Sequence, residues 1–195
     1  MYYNSEIQVF LDELSSKNST PGGGSAAALA GALNAAVVNF IANLTIGKEK
    51  YKDVEAEAKS ILDESNQIKR EMLKMMDEDS EILSKILASY KTGNKAETKS
   101  ICKDAVEFSL DMTQRAVRLM ELTLEISKIG NKMLASDFEV AAYIGDAAVG
   151  SAIANIKINL KSLDDDDYKE NIKEEYQKLQ KKSADLKEEI IKLAN

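Results

Sequence analysis

Apolar positions recur at helical spacing almost from end to end of the chain. Between Ser5 and Leu14 they fall at Ile7, Val9, Phe10 and Leu14, which predicts a short first helix capped by Asn4 or Ser5. An alanine-rich run from Ala26 to Ile46 predicts a second helix ending near Gly47, followed by a polar link through Lys48, Glu49, Lys50 and Tyr51. From Asp53 to Tyr90, the positions Ile61, Ser65, Ile68, Met72, Met75, Asp79, Ile82 and Ile86 alternate in steps of four and three, a heptad seam. Lys91-Thr92-Gly93-Asn94 reads as a turn. A second long helix, Lys95 to Ile129, buries a face that includes Phe108, Met112, Leu119, Leu122 and Ile126. Gly130-Asn131 closes it, and Ser136 is placed to cap a helix from Asp137 to about Leu163. The last helix, about Tyr168 to Leu193, is dense in Lys and Glu around a thin apolar stripe, so it packs on the outside. The pattern predicts an all-α fold: a bundle of long antiparallel helices, with a short N-terminal helix and an outer C-terminal helix, in one domain spanning 1–195.

Composition sharpens this picture. The chain has 195 residues with one proline, and that proline stands in Ser19-Thr20-Pro21-Gly22-Gly23-Gly24-Ser25 beside three of the nine glycines. Such a segment is a shaped turn that launches a helix, with Ser19, Thr20 or Ser25 as its cap, and open helical N–H groups bind anions. Behind the turn, Ala27, Gly31 and Ala35 repeat every fourth residue, a spacing that lets another backbone come close. The run is long enough to span a membrane, but Asn34, Asn39 and Asn43 lie inside it, no basic cluster flanks its start, and MYYNSEIQ has no signal-peptide character. A net charge of −7 argues against a general nucleic-acid binder. With a single cysteine, Cys102, and no histidine, a structural zinc site is not expected, and acid–base chemistry falls to Asp, Glu, Lys or Tyr.

Three groups of polar residues are candidates for that chemistry. Asp79 sits on the apolar seam, where the seam either splays into solvent or opens onto a cavity. Asp137 and Asn155 are 18 residues apart, roughly five turns, so they share a face with Asn159 across Ala141, Ala148 and Ala152. Asp146 points the other way. Arg115 and Arg118 flank the buried face of their helix and read as surface ion pairs.

Pro21-Gly22-Gly23-Gly24-Ser25, Leu44-Thr45-Ile46-Gly47-Lys48-Glu49-Lys50-Tyr51, and Gly130-Asn131 through Ser136-Asp137 to Asn155 and Asn159 together resemble the cyclodeaminase/cyclohydrolase family of folate enzymes. The likeness runs from about Phe10 to Leu163. Asn34, Met133 and Ser109 depart from residues common in the family: Gly, a second Asn and Pro respectively. The resemblance implies a cytoplasmic homodimer acting on a tetrahydrofolate derivative, with a single glutamate or polyglutamylated, with no cofactor beyond that substrate, no metal, and no nucleic-acid or membrane partner. It implies one of two reactions. In the cyclodeaminase, N10 of 5-formiminotetrahydrofolate attacks the formimino carbon and ammonia leaves; in the cyclohydrolase, water opens 5,10-methenyltetrahydrofolate to 10-formyltetrahydrofolate. The intact signature leans the reading to the cyclodeaminase, with the cyclohydrolase as the alternative and a non-catalytic dimeric helical scaffold as a third class. The expected catalytic groups are Asp137, as acid–base residue or cation stabiliser, and Asp79, against the donor edge of the pterin. Asn155 and Asn159 are expected on the pterin or orienting Asp137. Lys48 and Lys50 are expected on the glutamate tail, and the backbone of Gly22, Gly23, Gly24 and Ser25 either there too or closed against the pterin.

Overall fold

The small-residue helices predicted from the sequence, α2 (Gly23–Asn43) and α5 (Ala135–Leu160), pack against each other in the computed structural model, which describes residues 1–3 and 5–195. The bundle is completed by α1 (Ile7–Leu14), α3 (Glu55–Thr92), α4 (Lys95–Ile129) and α6 (Asp166–Ala194), with 3₁₀ turns at Glu49–Val54 and Lys132–Leu134. No strand occurs among the described residues, so the fold is the all-α bundle that the periodicity predicts.

α2 and α5 run antiparallel, and three contacts fix the register. Gly23 lies against the Asn155 amide, the Asn34 amide donates to the Ala141 carbonyl at 2.7 Å, and the Asn131 amide, just before α5, donates to the Leu44 carbonyl at 3.2 Å. α2 is apolar and long enough to cross a membrane, yet Ala28, Ala35, Val38, Ile41 and Ala42 are fully buried in the bundle. Its asparagines act as cross-links. Asn34 reaches α5, and Asn39 reaches α3, donating to Asn66 at 2.9 Å and accepting from Ser65. Ser65 is therefore a satisfied polar member of the seam. The Ala27-Gly31-Ala35 stripe meets α3, where a Cβ on Gly31 would stand 2.9 Å from the Met72 methyl.

Charge ties the outer helices on. Arg118 forks onto Glu64 of α3 at 2.7 and 2.9 Å and also bonds Glu121 and Glu125. Arg115 bonds Asp111 and reaches Glu71, so both arginines are the surface ion pairs expected. Asp146, facing away from the asparagines of α5, holds α6 through Ser183 at 2.9 Å and Lys187.

Several helix starts correct the sequence reading. α1 begins after Glu6 without a side-chain cap, and the Ser5 hydroxyl donates instead to the Tyr2 carbonyl; Asn4 lies outside the described residues. Ser136 does not cap α5, because the helix starts at Ala135, two residues before Asp137, and Asn131 caps the preceding 3₁₀ turn. α2 ends at Asn43, before Gly47, which takes a left-handed φ of +76° in the connection to the 3₁₀ turn.

Candidate active site

The α3 seam opens onto a cavity at Asp79. The cleft measures about 90 Å³ and is walled by Gly23 and Gly24 of α2, Asp79 of α3, Phe108 of α4, and Asn155 and Asn159 of α5. The start of α2 forms one of its walls. The Thr20–Pro21 bond is cis, Gly22 is extended, and neither Ser19, Thr20 nor Ser25 caps the helix. Asp79 serves instead, reaching across from α3. Its Oδ2 accepts the Ser25 N–H at 2.8 Å and the Ser25 hydroxyl at 3.0 Å. The anion that an open helix start favours is thus supplied from within the chain.

Gly24 makes this contact possible. A Cβ there would lie 1.9 Å from Asp79 Oδ1, so any side chain must push the carboxylate away. Gly24→Ala is expected to cost about 1–3 kcal/mol of stability and to lower turnover roughly a hundredfold through misplacement of Asp79. Thermal melts and steady-state rates on the same preparation check both.

Burial pushes the Asp79 carboxyl above the usual aspartate range, while its bonds from Ser25 pull it part of the way back. Among the described residues, no other ionisable side chain lines the cleft. The remaining polar lining is amide and hydroxyl. Asn155 spends one N–H on the Ser151 carbonyl and Asn159 one on the Asn155 carbonyl, both at 3.0 Å. Ser109, at the position where the family often has proline, also lines the cleft and bonds back to the Ala105 carbonyl at 2.8 Å. Among the described residues no group of His, Cys, Asp and Glu is arranged to hold a metal ion.

Asp137, Lys48 and Lys50 are elsewhere. Asp137 is half-buried in the first turn of α5, and the 18 residues to Asn155 amount to roughly 27 Å of helix. Within one chain, therefore, Asn155 and Asn159 do not orient Asp137. Lys48 and Lys50 are exposed at the far end of α2, with Lys50 beside the Tyr51 ring. That end has its own clasp, which the sequence reading did not single out. The Thr45 hydroxyl accepts the Asn131 N–H at 3.0 Å, and the Tyr51 hydroxyl accepts the Lys132 N–H at 3.2 Å. Thr45, Tyr51 and Asn131 all fall inside the quoted motifs, which was the available signal. Met133, another departure from the family, is exposed there.

The family model for formiminotransferase-cyclodeaminase matches residues 6–178. The chain belongs to that family of folate one-carbon enzymes. Within it, the chain is 34% identical to a methenyltetrahydrofolate cyclohydrolase of Methylorubrum extorquens, covering 96% of this chain and 94% of that one. It is 24% identical to the rat formimidoyltransferase-cyclodeaminase over 86% of its own length but only 32% of the rat protein. The formiminotetrahydrofolate cyclodeaminase of Thermotoga maritima, a crystal structure, superposes with a TM-score of 0.93 at 26% identity, over 97% of this chain and 96% of that one. Belonging to this enzyme family takes the chain out of the scaffold class.

Proposed function

We propose that this protein is a methenyltetrahydrofolate cyclohydrolase. The observation that carries the reading is the likeness to the Methylorubrum extorquens cyclohydrolase along nearly the whole of both chains, at 34% identity. It reverses the lean toward the cyclodeaminase drawn from the sequence motifs. The cyclodeaminase stays as the second reading, favoured by the likeness to the Thermotoga maritima structure.

The cleft chemistry suits addition of water. Asp79 is the one ionisable side chain there among the described residues, and its raised affinity for a proton brings it closer to the working range of a general base. Asp79 thus takes the proton-transfer role that the sequence reading gave to Asp137. Water oxygen bonds to the methenyl carbon as Asp79 removes a water proton. The carbon–N5 bond then breaks, the hydroxyl proton passes to N5, and the carbonyl of the 10-formyl group forms. Cation plus water becomes neutral product plus one proton.

A homodimer completes this account. Leu33 and Phe40 of α2 and Val140, Tyr143 and Ile158 of α5 are each 47–56% exposed, and α2 carries no charged residue. Apolar side chains on two adjacent helices suit a second copy of the chain. A two-fold axis across the helix direction sets each cleft beside the partner's opposite end. It brings Asp137 of the partner subunit to the cationic methenyl carbon, and the partner's Lys48 and Lys50 to the anionic tail.

The test is absorbance of the methenyl chromophore with purified protein. A faster-than-buffer fall with 5,10-methenyltetrahydrofolate is expected. No such fall, with a rise on 5-formiminotetrahydrofolate beyond the spontaneous rate, would establish the second reading instead.

A further inference from the structure

Methenyl hydrolysis leaves one proton behind in each turnover, and this inference rests on that reading. With substrate bound and a partner subunit over the cleft, the proton on Asp79 needs a way out that does not cross the substrate. The structure has a second hollow on the other side of α3. This groove, about 590 Å³, is lined by residues that include Glu13, Thr20, Asp77, Ser80, Glu81 and Lys85. Between groove and cleft stands one buried hydroxyl, that of Ser25. It lies 3.0 Å from Asp79 Oδ2 on the cleft side and 3.2 Å from the Ser80 hydroxyl on the groove side.

We propose that Ser25 and Ser80 form a hydroxyl relay that carries the proton from Asp79, under α2, into the groove. Protonated Asp79 donates to Ser25 Oγ, Ser25 passes its own proton to Ser80 Oγ, and Ser80 releases one to water in the groove. Each hydroxyl gains one proton and loses one, and only O–H bonds are exchanged. The Met76 carbonyl resets the chain. It lies 2.8 Å from Ser25 Oγ and 3.3 Å from Ser80 Oγ, so either hydroxyl can turn to it between transfers.

The surroundings favour this direction. On the cleft side, α4 and α5 present Phe108, Ser109, Asn155 and Asn159 to Asp79, none of which titrates in the working range. On the groove side, Glu13 of α1 and Asp77 and Glu81 of α3 offer negative charge to an arriving proton. Lys85 and the Met1 amine are the cations there, and that amine already lies 4.0 Å from Asp77. Ser80 stands next to Asp79 in sequence but faces the other hollow, which suits a link between the two.

The experiment compares Ser80→Ala and Ser80→Thr with the unmodified protein in methenyl hydrolysis, at minimal buffer and with added imidazole. Ser80→Ala is expected to lower kcat about tenfold or more at minimal buffer, with KM unchanged and with part of the rate restored by imidazole. Ser80→Thr, which keeps the hydroxyl, retains the rate, and Ser84→Ala, which alters the groove wall alone, does the same. An unchanged kcat in Ser80→Ala at minimal buffer overturns the relay. Equal losses in the Ala and Thr variants, insensitive to imidazole, also overturn it by making Ser80 structural. An unmodified protein that does not hydrolyse the methenyl compound overturns the functional reading itself, and the relay with it.

Discussion

Asp79→Asn is expected to lower kcat for methenyl hydrolysis by roughly 10²–10⁴-fold while KM stays within about threefold. The amide oxygen can still accept the Ser25 N–H that the carboxylate accepts at 2.8 Å, so the start of α2 stays in place and only the base is lost. The split between kcat and KM decides the role. A raised KM with kcat preserved would mean that Asp79 binds the pterin edge, as the sequence reading supposed. Stability should move the opposite way. Burial raises the Asp79 pKa above its ordinary 3.8, so the group's contribution is fully present below that value and is lost as pH rises through the raised one. At neutral pH the ionised carboxylate therefore costs stability, and Asp79→Asn should melt higher than the unmodified protein. The gap closes in acid, where Asp79 is protonated anyway. By the same shift, activity of the unmodified protein falls as pH drops through the raised pKa, because the base is then occupied.

The second large effect concerns the exposed apolar face. Leu33→Glu places a charge where the side chain is 52% exposed in the single chain, so the fold should lose no more than about 0.5 kcal/mol. A second copy packed on that face would bury two such charges without partners, a cost of several kcal/mol. The variant is expected to run as a folded monomer in analytical ultracentrifugation and to lose roughly a hundredfold or more in turnover. A dimeric Leu33→Glu with full activity would remove this face from the account.

What the sequence made readable follows from which forces are local. The heptad seam of α3, the apolar face of α4 and the small-residue runs of α2 and α5 are periodic, and periodicity alone yields the bundle. Asp79 stood out as a carboxylate on an apolar seam, and a cleft does open there. The caps were harder to read. Ser25 looked like a helix cap, but the acceptor for its N–H comes from α3, 54 residues away, and nothing in the local sequence encodes that distance. Asp137, Asn155 and Asn159 share a helical face, as counted. A shared face says nothing about separation along the axis, and the turns between them put Asp137 far from the cleft. Ser80 carries no signal in the sequence, because a serine in a polar stretch of helix gains meaning only from the two hollows beside α3.

Methenyl hydrolysis is expected to take place at a site shared between two chains. Asp79→Asn and Asp137→Asn, each inactive alone, test it when the two proteins are unfolded together and refolded as a mixture. Each mixed dimer would hold one site with both substitutions and one with neither. With random pairing the mixture should recover about a quarter of the unmodified activity. Activity no higher than the sum of the two parents would contradict the account and return the whole reaction to a single chain.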